Sequence, residues 1–216
     1  MTEYRTDAEQ VQQIKNWWKT NGSFTTIVVV LGIAAYFGGD SYIHQKHATA
    51  ENASYALNKM LEEVQLNKGT EAKQLGESLV KSYPQTQQAS QAALVLAKLA
   101  VEANDFNGAK QWLIMVKDQA PVVSLQILAR IRLARVMSEL NETDQALSML
   151  DVVDPGEFRG MLEEVRGDIY LAKGDLENAR LAFTRALTAD PMSIRQSQLQ
   201  MKLDDLNKAK AQNEVG

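Results

Sequence analysis

The sequence predicts an all-α protein. One transmembrane helix near the N-terminus is followed by a solenoid of about four helical hairpins and a C-terminal capping helix. Three observations predict it. Residues 20–39 form a run without a charge between Lys19 and Asp40. Beyond that run an alanine-to-proline pattern recurs at the period of a helical hairpin. Only four prolines interrupt 216 residues rich in Ala, Leu, Gln, Lys and Glu, a composition of helices rather than sheets.

The first element is the uncharged run. As a helix its twenty residues cover about 30 Å, the thickness of a bilayer's hydrocarbon core. Trp17 and Trp18 flank it on one side, Tyr36 and Tyr42 on the other, where amphipathic rings settle at headgroup depth. A cleaved signal would need a short basic leader, but this leader is long and holds Glu3, Asp7 and Glu9. The small-x-small triplet Gly32-Ile33-Ala34 falls in the middle of the run. An uncleaved anchor is therefore expected. Arg5, Lys15 and Lys19 precede it, against Lys46 and Lys59 after it, a narrow bias toward a cytoplasmic N-terminus. The expected segments are a tail over 1–21, a transmembrane helix over 22–43, a repeat domain over 44–191, and a capping helix with its tail over 192–216.

The repeats come next. Glu71-Ala72-Lys73-Gln74 leads to Pro84, Gly108-Ala109-Lys110-Gln111 to Pro121, and Asn178-Ala179-Arg180 to Pro191, with twelve positions from alanine to proline each time. Around Ala146 the proline comes three residues early, at Pro155. The four alanines are spaced 37, 37 and 33 residues apart. A single hairpin cannot bury its apolar face alone, so such units stack.

Residues 160–191 resemble a tetratricopeptide repeat: Gly167, Tyr170, Ala179, Phe183, Ala186 and Pro191 stand at the signature spacings, while Glu163 and Arg166 replace the usual Trp and Leu. Small residues at Gly167 and Ala179 let two antiparallel helices approach. Gly174-Asp175 makes the turn, glycine ending one helix in the left-handed region and aspartate capping the next. In the copy at 90–121, Asn104-Asp105 is the expected turn, and at 127–158 it is Asn141-Glu142-Thr143. The copy at 53–84 matches only in its second helix. Ser193–Ala211 reads as a closing helix with Ile194, Leu199, Leu203 and Leu206 on one stripe.

Little in the chain suggests catalysis. Its two histidines, His44 and His47, both lie beside the run, so no Ser-His-Asp triad is available to the repeats, and no carboxylate or thiol cluster joins them as metal ligands. Cysteine is absent, and no glycine loop of the phosphate-cradling kind occurs. The pairs Glu62-Glu63, Glu163-Glu164 and Asp204-Asp205 are expected on solvated helix faces. A net charge of −4, all of it beyond residue 39, lacks the basic stripe that nucleic acid requires. A non-catalytic binding protein without cofactor, metal or catalytic residue is the expectation.

The tetratricopeptide resemblance implies a concave wall built from recurring first-helix positions. Here these are Gln91, Leu94, Lys98, Val101 and Glu102, then Leu128, Ile131, Arg135 and Ser138, then Met161, Glu164, Asp168 and Leu171. They alternate apolar and charged groups, and several are expected to pack between repeats. The set lacks the concentrated lysines and arginines that clamp an acidic peptide terminus.

Nearly the whole chain resembles the YfgM-like ancillary subunits of the bacterial Sec translocon. The resemblance rests on the acidic-basic leader ending in Asn21-Gly22 and on the single span. It also rests on Arg132-Leu133-Ala134-Arg135-Val136 with Asp144-Gln145-Ala146-Leu147, on Arg166-Gly167-Asp168 with Lys173-Gly174-Asp175, and on Gln200-Met201-Lys202-Leu203. It implies a single-pass inner-membrane protein with a cytoplasmic N-terminus and a periplasmic repeat domain. Its implied partners are the SecYEG translocon, a membrane-anchored periplasmic chaperone of the prolyl-isomerase type, and exported client proteins. The implied role is passing exported chains to periplasmic folding factors. The same resemblance implies an alternative, negative control of an envelope-stress phosphorelay by sequestration.

Overall fold

The computed structural model describes residues 11–12, 15–19, 28, 48–151, 154–190 and 195–215, with side chains as far as Lys208. The chain divides into two compact units, Met1–Glu51 and Asn52–Gly216. In the first, residues 15–19 are helical, and the exposed rings of Trp17 and Trp18 sit 6.3 Å apart. Except for Val28, the expected transmembrane helix lies outside the described residues, as do His44, His47, Pro191 and Ile194. Among the described residues no helix is long and apolar enough to cross a membrane.

The second unit is helical from end to end of its described residues. Within this unit α1 is helix over 52–65, and α2 Gly69–Ser82, α3 Gln87–Glu102, α4 Phe106–Gln119, α5 Val123–Glu139, α6 Thr143–Asp151, α7 Arg159–Ala172, α8 Leu176–Ala189 and α9 Gln196–Val215 follow. Successive helices pack on one another, and α5 also meets α3 and α7, so first helices of neighbouring hairpins line up side by side.

Each hairpin turns the same way. Asn67, Asn104, Asn141 and Gly174 all have positive φ, between 56° and 77°, and each stands five residues before one of the spaced alanines. Asparagine and glycine are the residues that enter this left-handed region at least cost. The following N–H reaches back five residues to a carbonyl: Lys68 to Glu63, Asp105 to Ala100, Glu142 to Met137 and Asp175 to Tyr170, at 2.8–2.9 Å. This closes the orphan carbonyls of a helix end. Asp105 then accepts from the Gly108 N–H at 2.8 Å and Asp175 from the Asn178 N–H at 3.1 Å, capping α4 and α8. The expected turns at 104–105, 141–143 and 174–175 are present. The first copy makes the same turn at Asn67, where its sequence had matched the pattern only in its second helix.

Ala72, Ala109, Ala146 and Ala179 are all fully buried. Each opens the second helix of its hairpin, so a small residue is kept out of water where the two helices begin to pack. Beside them, bulk is traded between helices. In the last hairpin a Cβ on Gly167 would lie 2.5 Å from the Phe183 ring, so the phenyl group fills the space glycine leaves. In the first, a Cβ on Gly76 would lie 2.6 Å from the Met60 methyl carbon. By repeat register Met60 stands where Gly167 does, and Gly76 where Phe183 does. The middle hairpins take an intermediate division, Ala97 with Leu113 and Ala134 with Leu150, all buried. Filled volume is conserved while the helix that supplies it changes, as close packing demands.

The third hairpin is the irregular one. α6 has nine residues against fourteen in α2, α4 and α8, and a 3-10 turn at Gly156–Phe158 follows the buried Pro155. The early proline stops the helix short. At the end of the array α9 buries Leu199, Leu203 and Leu206 against Ala179, Phe183 and Ala186.

Candidate functional site

Between α3 and α5, above α4, lies a cleft of about 600 Å³. Its floor is apolar: Leu94 and Ala97 of α3, Leu113 of α4 and Val136 of α5 are buried, with half-buried Phe106 and exposed Val101 above them. These side chains reach one space because α4 runs back and packs against both α3 and α5. Polar groups form the rim. Lys98 and Glu102 pair at 3.5 Å on α3, one helical turn apart. On α5 stand Arg132, Arg135 and Glu139. Arg135 reaches Asp168 of α7 at 3.6 Å, a long contact between half-exposed groups. Burial pushes the Arg132 guanidinium below its ordinary pKa, and the like charge of Arg135 adds to the shift. Among the described residues no carboxylate stands within ion-pair distance of Arg132.

Of the thirteen wall positions read from the sequence, the cleft gathers Leu94, Lys98, Val101, Glu102 and Arg135. Gln91, Leu128, Ser138 and Met161 are half-buried outside it. Ile131, at 1% exposure, belongs to the core and presents no surface. Leu171 is exposed on α7. Asp168 and Glu164 are occupied by the C-terminal helix and the residue before it: Lys202 bonds Asp168 at 2.5 Å, and Arg195 reaches Glu164 at 3.2 Å. Lys202 also lies 5.2 Å from the centre of the Phe183 ring.

Glu163 and Glu164 do not lie on a solvated face. Both are buried, and each is neutralised by two cations. Glu163 accepts from Arg166 at 2.5 Å and from Arg185 at 2.8 Å, while Glu164 faces Arg195 and Lys202. A carboxylate taken out of water requires such partners. The two positions where this repeat departs from the tetratricopeptide signature, Glu163 and Arg166, are thus bonded to each other. Glu62 and Asp204-Asp205 are exposed as expected.

Sequence reasoning missed Arg132, Phe106, Asn104 and Glu139 in the cleft. A signal for Glu139 was present, since it stands 37 residues after Glu102, as Arg135 does after Lys98. Among the described residues no group of three or more His, Asp or Glu side chains is placed to hold a metal. An apolar floor with a charged rim supports non-covalent capture of a side chain or segment.

The model of a tetratricopeptide repeat-like domain family matches residues 15–208. Similar proteins include three described as ancillary SecYEG translocon subunits. That of Haemophilus influenzae is 30% identical over 93% of this chain and 97% of its own length. That of Neisseria gonorrhoeae is 29% identical over 95% of this chain and 100% of its own. The Escherichia coli protein is 27% identical over 94% and 98%.

Proposed function

The chain belongs to the tetratricopeptide repeat-like family of the ancillary SecYEG translocon subunits, and on that footing we propose that it is a non-catalytic, membrane-anchored scaffold of the translocon. In this reading residues 22–43 span the inner membrane, the N-terminus is cytoplasmic, and the hairpins stand in the periplasm. There they bind SecYEG and a membrane-anchored prolyl-isomerase-type chaperone, and assist transfer of exported proteins to folding factors. The observation that carries the reading is likeness along almost the full length to the Haemophilus influenzae subunit, anchor region included. The α3–α5 cleft supports it as a surface suited to holding protein segments without reacting with them. Tethering supplies effective concentration, so a weak groove near the channel suffices.

The test is co-purification of the tagged, full-length chain from detergent-solubilised inner membranes. SecYEG subunits and the chaperone are expected in the eluate. Their absence, with the chain itself recovered from the aqueous fraction, would overturn the reading.

A further inference from the structure

The cleft has a direction. Lys98 and Glu102 on α3 recur 37 residues later as Arg135 and Glu139 on α5, the same interval that separates Ala72, Ala109 and Ala146. Two hairpin reversals separate α3 from α5, so the two first helices run the same way, and equal register sets like charges at like heights. Both walls therefore carry a cation toward the helix start and an acid one turn further on. Arg132 adds a third cation to the positive end, beside Lys98 and Arg135. The pattern stops at the third repeat, where the register places Asp168 and Ala172, and Asp168 faces Arg135.

The charges at the two ends are poorly satisfied within the chain. Arg132 and Glu139 have no ion pair among the described residues. Lys98 with Glu102 is a long contact between solvated groups, worth little in water, and Arg135 shares the half-buried Asp168, at 3.6 Å, with the closer Lys202. An unpaired guanidinium on the exposed rim of an apolar floor gains most from an acid brought in by a partner that also excludes water.

We infer that the α3–α5 cleft binds a peptide segment of another protein. That segment carries one large apolar side chain with an acidic group on one side of it and a basic group on the other. The apolar side chain rests on Leu94, Leu113 and Val136. The acidic group meets Arg132 and Arg135, and the basic group meets Glu102 and Glu139. This rests on the scaffold reading above and adds the chemistry of what the scaffold holds.

The experiment uses the full-length chain in detergent and three short fluorescent peptides with a common central leucine. Their flanks are acidic and basic, acidic on both sides, or basic on both sides. Anisotropy is expected to rank the mixed peptide about tenfold tighter than either other, because two exposed charge contacts change sign. The variant carrying Glu102→Lys and Glu139→Lys makes the cleft positive throughout and should prefer the doubly acidic peptide. Both positions are exposed on the rim, so the fold is retained, and an unchanged melting curve checks it. The inference is overturned by equal affinities for the three peptides, or by a variant that keeps the wild-type ranking. Co-purification of SecYEG with the wild type is scored separately. If it persists while the peptides fail, the scaffold reading stands and this inference alone falls.

Discussion

The first and last hairpins solve one packing problem in opposite ways. In the last, glycine at 167 on the first helix yields to phenylalanine at 183 on the second; in the first, methionine at 60 on the first helix yields to glycine at 76 on the second. Both crossings are filled and buried. The lesson is that a repeat is conserved in its total volume, and a signature that names one helix's small residue captures only one division of that volume.

The largest effect should come from emptying the last crossing. Phe183→Ala removes a fully buried ring facing a glycine and should cost about 3–5 kcal/mol in urea unfolding of the detergent-solubilised chain. Met60→Ala in the first hairpin should cost less, about 2–3 kcal/mol, because losing the unbranched methionine side chain removes less volume than losing a phenyl ring.

Transplanting one solution into the other sharpens the comparison. Gly167→Met alone overpacks against the ring and should destabilise by about 1–3 kcal/mol, and Phe183→Gly alone leaves a cavity. Together they recreate the first hairpin's arrangement. Their combined cost should fall short of the sum by at least about 1.5 kcal/mol in a double-mutant cycle. Strict additivity would mean that the two crossings are not equivalent.

Smaller effects separate the turns. Gly174 has φ of 77°, where Asn67, Asn104 and Asn141 stand at 56–62°. Gly174→Ala forces a Cβ into the left-handed region and should cost about 1 kcal/mol, while Asn104→Gly should be close to neutral. Differential scanning calorimetry distinguishes the two.

The smallest effect is electrostatic. Hydrogen bonds from the side chain and backbone N–H of Asn178 hold the Asp175 carboxyl below its ordinary range. A depressed folded pKa means that the stabilisation is present above the unfolded value and is lost as pH falls through the folded one. Asp175→Asn should therefore lower the melting temperature slightly at neutral pH, and the gap from the wild type should close in acid.

The same contrast explains what was legible in the sequence. The last repeat announced itself through Gly167, Ala179 and Phe183, and its turn residues sat where backbone chemistry requires them. The first hairpin was hidden because Met60 occupies a position where the pattern expects a small residue, and only Gly76 opposite makes sense of it. For the candidate site, the exposed rim at Lys98, Glu102 and Arg135 followed from repeat register. Ile131 did not, because a first helix in a stack turns part of that same stripe inward, and spacing alone does not distinguish wall from core. Glu163 and Glu164 were misread for a related reason: of their four cations only Arg166 shares the helix, while Arg185, Arg195 and Lys202 come from distant segments that periodicity within one helix does not register.

The most direct test places a photoreactive residue at Val101, exposed on the cleft, in the full-length chain within intact inner membranes. Leu181, exposed on α8 and outside the cleft, is the control. Adducts to translocon subunits or the periplasmic chaperone are predicted from position 101 and should weaken in the variant carrying Glu102→Lys and Glu139→Lys. Adducts to cytoplasmic proteins alone, or equal labelling from both positions, would contradict a partner-binding cleft held at the translocon.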